Sequence, residues 1–489
     1  MDGMGLLDSG VWEGKIYLDG WTAGGADPVP SVAPATGKEL GLVGRASVED
    51  VRRAAATNAE AQTAWAALPY TERAAVLRRA GDLFAAHAEE IHGWLVREGG
   101  AIPGRAAFET DTAAQECYEA AALASAPYGE MLRSALPRYS LSRQLPVGVV
   151  GVIAPFNVPI ILAIRAIAPA LALGNAVVFK PDPRTAVCGG VTIVRILEEA
   201  GLPSGVLSFL PGGVDVGEAV ITDPATRVIA FTGSTKAGRR IGELAGKHLK
   251  RTHLELGGNS ALIVLDDVDP ADVVSAAAWG SFFNQGQVCM TTGRHLVAAG
   301  VADDYIAALA ERADHLPVGD PATEQVALGP VIDAQQRDNI HARVTASVEQ
   351  GARLAAGGTY EGLFYRPTVL ADIPVTAPAW AEEVFGPVAP VHRFSTVEEA
   401  ISLAADSEYG LSLGIMTRDV ARALDIAAQI PSGAVHINDQ TVNDEAVIPF
   451  GGVGASGTGS RHGGGRANIE AFTETQWVTL RSTPAQYPF

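Results

Sequence analysis

Cysteine is almost missing from this chain: Cys117, Cys188 and Cys289 are the only three in 489 residues, an odd number at wide spacings. That excludes a disulfide framework and a zinc-ligand pattern, and it points to a reducing compartment, with the cytoplasm as the default expectation. Basic side chains are also in deficit, 36 Lys and Arg against 55 Asp and Glu, for a formal charge of −19. A field of that sign repels nucleic-acid phosphates and anionic lipid, so neither is an expected partner. A dinucleotide stays admissible, because backbone N–H groups at a helix start hold phosphate whatever the overall charge. One charge-free stretch, residues 147–164, reaches membrane-spanning length, but Gly148, Gly151, Pro155, Asn157 and Pro159 interrupt it. It reads as strand, loop and helix inside a core. The first twenty residues lack the basic and long apolar regions of a secretory leader.

What is present is bulk and glycine. A chain of this length exceeds what one core sustains, so two or three domains are expected. The 47% hydrophobic content with 54 Gly and 29 Pro suits a loop-rich α/β enzyme. Residues 47–126 carry helical periodicity opened by a Ser cap at Ser47. From residue 146 to 257, the short apolar runs VGVVGVIAP, NAVVFKP, GVLSFLPG and VIAFTGS alternate with helical segments. That alternation predicts βαβ units on a parallel sheet. A second alternating region from about residue 258 carries SALIVL, RHLVAAG, RPTVLADI, APVHRF, SLGIMT and GAVHIN as candidate strands. RYSLSRQLP and EAFTETQWVTLRS are β-compatible but too short to fold alone, and are expected to pair with each other or across a subunit boundary. No internal repeat or low-complexity tract is visible.

Of the three cysteines, Cys117 and Cys188 lie in helical patterns, where cysteine acts as a small apolar residue. Cys289 sits in the polar, glycine-bearing segment FFNQGQVCMTTGRH, a context that suits a nucleophile without requiring one. A thiol attacking a carbonyl creates an oxyanion that needs donors, and Asn157 in APFNVP can supply one, although a turn asparagine explains the same residue. Glu255 ends a strand-like KRTHLEL before two glycines, a place for a general base or for an ion-paired edge carboxylate. VIAFTGSTKAG has the strand, glycine turn and helix start that present N–H groups to a pyrophosphate. The formal G-x-G-x-x-G at Gly452, Gly454 and Gly457 follows no clear strand and reads as a flexible loop. Lys180 ends NAVVFKP beside the same crevice, where it can contact a ribose or simply lie at the surface.

The ordered set APFNVP, VVFKP, FTGSTKAG, LELGG, GQVCMTTGR, EEVFGPV and PFGGVGASG, spread over nearly the whole chain, resembles the aldehyde dehydrogenase superfamily. The resemblance implies an α/β fold with a Rossmann-like parallel-sheet cofactor domain (residues 1–126 and 146–257) and a second α/β catalytic domain (258–469). It adds a small β-flap (127–145 and 470–489) that builds a homodimer or a dimer of dimers. It implies NAD(P)-dependent oxidation of an aldehyde to the acid through a thioester, with Cys289 as nucleophile, Asn157 in the oxyanion hole and Glu255 as general base. Presence of Glu255 speaks against the CoA-acylating branch. The cofactor set it implies is Lys180, Gly233, Ser234, Glu383 and Phe385, with Pro155, Phe156, Gly257 and Arg184. Many NAD-preferring members place a glutamate three residues after the lysine; here that position is Pro183. With the carboxylate gone and Arg184 adjacent, NAD use with tolerance of NADP is expected. PFNVPIILAIRAIAPALALGNAVV, KPDPRTAVCGG and INDQTVNDEAVIPFGG look like the benzaldehyde, salicylaldehyde and vanillin branch, so an aromatic aldehyde is the expected substrate. Ile161, Leu162, Arg165, Val288, Met290 and Phe450 are then expected along its channel, although packing explains the aliphatic ones too. The alternatives are an aliphatic or semialdehyde substrate, or a silent cofactor-binding member of the fold.

Overall fold

The computed structural model describes residues 5–489; the first four residues of the segment read for a leader, and of the first expected domain segment, lie outside the described residues. Five short apolar runs make the parallel part of the first sheet, in the order Arg251–Glu255, Thr226–Thr232, Val149–Ile153, Ala176–Lys180 and Leu207–Phe209. Val149–Ile153 and Ala176–Lys180 are buried throughout, as strands covered by helices on both faces must be. Two further strands, Lys15–Tyr17 and Trp21–Ala23, extend the sheet antiparallel through Tyr17 against Phe209, and sequence periodicity does not reveal them. The chain runs outward from Val149–Ile153 in one direction, then returns to place Thr226–Thr232 on its other flank. That reversal is the topological switch point where α/β sheets open a crevice beyond their strand ends. Register aligns Thr232 with Glu255 and Ile153 with Lys180, so the loops carrying the chemistry leave from one edge.

The second sheet runs Arg353–Ala356, Thr368–Ala371, Val388–Phe394, Thr292–Ala298, Ser260–Val264, Ser412–Met416 and Ala434–Ile437, parallel except for the first. The two segments expected to need a partner find each other: Tyr139–Pro146 pairs with Thr473–Leu480 over its full length, and Gly129–Leu132 adds a third strand. Val48–Ala67 opens on a complete capping box, with Ser47 and Asp50 each bonding the other's backbone N–H. Residues 147–164 split into Val149–Ile153 and the helix Pro159–Ala172, and no helix among the described residues is long and apolar enough to cross a membrane.

Candidate active site

At the switch point, Pro155, Phe156 and Asn157 follow one strand while Thr232 ends its neighbour and Gly233 and Ser234 follow it, and together they line a cavity of about 260 Å³. Ser234, on the cleft wall, caps the helix Thr235–Lys247, its Oγ accepting from the Ala237 N–H at 3.3 Å, so a helix N-terminus begins at the cleft. Across from them stand Glu383 and Phe385, with the Phe385 ring edge-on to Phe156 at 5.9 Å. Glu383 is docked on the glycine turn after Glu255. It accepts from the Gly258 N–H at 3.1 Å, and a Cβ on Gly257 would run into its carboxylate. A helix N-terminus, a carboxylate for hydroxyl groups and an aromatic wall suit a dinucleotide, and the cleft brings together Gly233, Ser234, Glu383, Phe385, Pro155, Phe156 and Gly257.

Cys289 enters from the other sheet, three residues before Thr292–Ala298, and Gly258 lies so close under its carbonyl that a Cβ there would clash. The segment leading to it is held in an unusual shape: Asn284, Gln285 and Gly286 all have left-handed φ, of 51°, 57° and 64°. For the two non-glycines that costs about 1–2 kcal/mol each, offset by side-chain bonds from Asn284 Nδ2 to the Asn157 carbonyl and from Gln285 Nε2 to the Gly100 carbonyl. The Cys289 N–H and the Asn157 side-chain amide make no hydrogen bond to the described residues, and both residues line the cleft. Burial pushes the Cys289 thiol up to about 12, with the Glu383 and Glu255 carboxylates adding to the rise. Glu383→Gln should therefore react faster than wild type with iodoacetamide in the cofactor-free enzyme at mildly alkaline pH, with Cys117 and Cys188 too buried to contribute. An unchanged rate of thiol loss would show that the Glu383 charge does not reach the sulfur.

A second cavity, of about 380 Å³, shares Asn157, Leu162 and Cys289 with the first and extends away from it. Its walls are mostly apolar, and every channel residue expected from the sequence lies on them: Ile161, Leu162, Arg165, Val288, Met290 and Phe450. Phe108, Trp279, Phe283 and Val442 add to the apolar wall, with Trp279 and Phe283 stacked at 4.5 Å, and Arg105, Gln440, Asn443 and Asp444 border it as polar groups. Arg165 both faces this cavity and is ion-paired, to Asp444 at 2.6 Å and Glu116 at 3.2 Å, with its guanidinium 5.1 Å from the Phe450 ring.

Glu255 lines neither cavity. It is buried beside them, and neither carboxylate oxygen has a hydrogen-bond partner among the described residues. Burial drives its pKa well above the ordinary carboxylate range, against the guanidinium groups of Arg165 and Arg461 and the nearby Gly452 amide. The glycine-rich segment at 452–457 is not the free loop its sequence suggests. Its backbone bonds the end of the Glu255 strand, with Leu256 N–H donating to the Ser456 carbonyl at 2.9 Å and Glu255 bridged to Gly457, so it roofs the carboxylate.

Two cofactor expectations change. Lys180 ends its strand as expected, but its ammonium is buried and donates to the Pro181 carbonyl at 3.1 Å, and it is not on the cleft wall. Burial holds its pKa below the usual lysine value. Arg184 does not turn inward as a free cation: it pairs with Asp182 at 2.8 Å and Asp333 at 2.6 Å and lies over the Phe156 ring at 4.2 Å. A guanidinium committed to two carboxylates is a poor receptor for a 2′-phosphate, and the expectation that Arg184 serves as one is withdrawn.

Arg105, Glu109, Asp444 and Asn284 carry no signal in the sequence that marks them as part of this site. A buried i,i+4 pair such as Arg105 and Glu109 on the helix Pro103–Leu123 looks, in sequence, like any exposed helical ion pair.

A model described as "Aldehyde dehydrogenase family" matches residues 21–478. The chain is 64% identical to a vanillin dehydrogenase from Amycolatopsis sp. (strain ATCC 39116 / 75iv2), over 99% of this chain and all of the relative. It is 49% identical to a benzaldehyde dehydrogenase [NAD(+)] from Pseudomonas putida, over 98% of each. Its structure superposes with a TM-score of 0.94 on a salicylaldehyde dehydrogenase from Pseudomonas putida G7 complexed with salicylaldehyde, at 36% identity, covering 97% of this chain and 99% of that one.

Proposed function

The chain belongs to the aldehyde dehydrogenase family, an oxidoreductase that converts an aldehyde to its acid with a nicotinamide cofactor, and on that premise we propose that it oxidises single-ring aromatic aldehydes of the benzaldehyde and vanillin type. The observation that carries this reading is the shared wall: Cys289 and Asn157 border a cleft suited to a dinucleotide on one side and an apolar cavity on the other. The cavity's 380 Å³ and its Val288, Met290, Phe450, Phe283 and Trp279 walls suit a flat ring of modest size. The relatives named for vanillin, benzaldehyde and salicylaldehyde support the same class.

Cys289 Sγ attacks the aldehyde carbon, and the oxyanion is received by the Asn157 amide and the Cys289 N–H, the two donors left free at the junction. The oxidised nicotinamide, when bound, supplies the hydride acceptor and a positive charge to a site otherwise fringed by carboxylates. Glu255, with its raised pKa and unpartnered oxygens, takes the proton of the water that hydrolyses the thioester, and Cys289 leaves as the thiolate. Gly233, Ser234 and the helix start would hold the pyrophosphate, and Glu383 and Phe385 the nicotinamide ribose and ring; Lys180 would serve the adenosine ribose only on leaving the Pro181 carbonyl. The segments about the first sheet form the cofactor domain, those about the second the catalytic domain, and the three-stranded sheet the oligomerisation flap. Exposed Met131, Tyr139 and Trp477 on that flap, at 71%, 65% and 63%, support a homo-oligomer. The three free cysteines suit a reducing cytoplasm.

Absorbance of reduced nicotinamide, followed with benzaldehyde, vanillin and hexanal, tests the assignment. The aromatic aldehydes should give the higher kcat/KM; preference for hexanal would sink the aromatic reading alone, and no turnover with any aldehyde would sink the enzyme. NAD is the proposed cofactor with NADP also accepted, now resting on the missing carboxylate at Pro183 and not on Arg184. Pro183→Glu should lower kcat/KM for NADP by about tenfold or more while sparing NAD, since a carboxylate beside a 2′-phosphate is repulsive. Equal losses with both cofactors would remove that argument.

A further inference from the structure

We propose that Arg105 is a positioning residue for the oxyanion hole, its buried pair with Glu109 clamping the backbone on both sides of Asn157. Arg105 and Glu109 are 1% and 0% exposed and lie one turn apart on the helix Pro103–Leu123, which packs against the helix Pro159–Ala172. Arg105 Nη1 donates to the Asn157 carbonyl at 3.0 Å, and Asn284 Nδ2 donates to the same oxygen at 3.1 Å. Both lone pairs of that carbonyl are thereby used. Three residues on, the Ile160 N–H donates to Glu109 Oε1 at 2.7 Å, while Glu109 Oε2 closes the ion pair. No side chain caps the helix Pro159–Ala172 from its own N-cap residue, so Glu109 takes one of the amides its first turn leaves free.

Stability does not account for this arrangement. A buried ion pair commonly contributes no more than an apolar replacement of the same volume, and here Arg105 leaves Nε and Nη2 without partners among the described residues. What the pair does accomplish is geometric. The Asn157 peptide is fixed from the Arg105 side and the Cys289 side at once, because Asn284 belongs to the strained segment that delivers Cys289. The two donors of the oxyanion hole are therefore referenced to one atom, the Asn157 carbonyl oxygen, and only the side-chain torsions of Asn157 stay free to aim its amide.

The proposal rests on the reading of Asn157 as an oxyanion donor, and the test separates the two. Arg105→Lys keeps a cation for Glu109 but loses the planar reach to the Asn157 carbonyl. It is expected to lower kcat by about 10- to 100-fold, the order for a misplaced reacting group, with the aldehyde KM and the cofactor dissociation constant within about twofold of wild type. In the Asn157→Ala background the same change should cost almost nothing further. Should Arg105→Lys fold poorly, Arg105→Met with Glu109→Gln, which keeps an acceptor for Ile160 and removes the charge, gives the same comparison. Equal losses in both backgrounds, or a rise in KM with kcat unchanged, would overturn the positioning role, the latter by showing direct substrate contact. An Asn157→Ala enzyme of normal kcat would overturn the oxyanion reading and this proposal with it.

Discussion

Cys289→Ala is expected to bind cofactor and aldehyde and to form no acid, with kcat down by about 10⁴-fold or more, the order seen when the nucleophile of a covalent mechanism is deleted. The geometry supports a loss confined to chemistry. Cys289 is one of several residues on the wall of each cavity, and the helix start, Glu383 and Phe385 on one side and Val288, Met290 and Phe450 on the other are untouched by the change. Titration of bound cofactor should therefore match wild type while the absorbance trace stays flat. Cys289→Ser, which keeps the shape, should be nearly as inactive, because a hydroxyl is much harder to ionise than a thiol that burial already holds near 12. Cys117→Ala is the control. That thiol is fully buried with its pKa pushed far up, and its loss should leave turnover intact. Residual turnover in Cys289→Ala above about a hundredth of wild type would place the nucleophile elsewhere.

Much of this site is legible in the chain because local chemistry and fold agree there. NAVVFKP and LELGG end their strands on Lys180 and Glu255, VIAFTGS ends its strand at Thr232 just before Gly233 and Ser234, and a parallel sheet delivers all three ends to one edge. Cys289 is marked by its polar glycine segment against two cysteines in helical surroundings. What escapes the sequence is long-range pairing. Arg184 looks like a free cation next to the cofactor, but Asp333, 149 residues later, has claimed it. Strand Lys15–Tyr17 is three residues long, too short to show a period, and joins the sheet only because Tyr17 meets Phe209. The roof over Glu255 comes from a glycine-rich stretch two hundred residues away whose backbone, not its side chains, makes the contact.

The Glu255 carboxylate illustrates the same point from the energetic side. A buried carboxylate with no partner is costly, so its neutral form is favoured and its pKa rises. That cost is tolerable where a base is needed near neutrality and harmful where only a structural anchor is wanted. The two backbone bonds that a strand-end residue ordinarily makes are supplied by Gly233 N–H to the Glu255 carbonyl and by the Gly457 bridge, so the side chain is structurally spare.

Glu255→Gln then has a distinctive expected signature. Steady-state kcat should fall by about 10²- to 10⁴-fold, the usual worth of a general base, because thioester hydrolysis loses its proton acceptor. In the proposed mechanism, attack by Cys289 and oxyanion capture at Asn157 do not require that acceptor, so rapid mixing should still show one equivalent of reduced nicotinamide per active site before the slow phase. The pH dependence follows from the direction of the shift. With its pKa raised, Glu255 becomes the base only as pH climbs through that raised value, so wild-type hydrolysis should increase with pH and level off above it; in Glu255→Gln this increase should disappear. The amide is close in size to the carboxyl it replaces, so thermal stability should change little. A variant that also lost the initial burst would assign Glu255 to an earlier step, activating the Cys289 thiol, and a variant with unchanged kcat would leave the water to another base, with Asp444 on the adjoining cavity wall as the next group to replace.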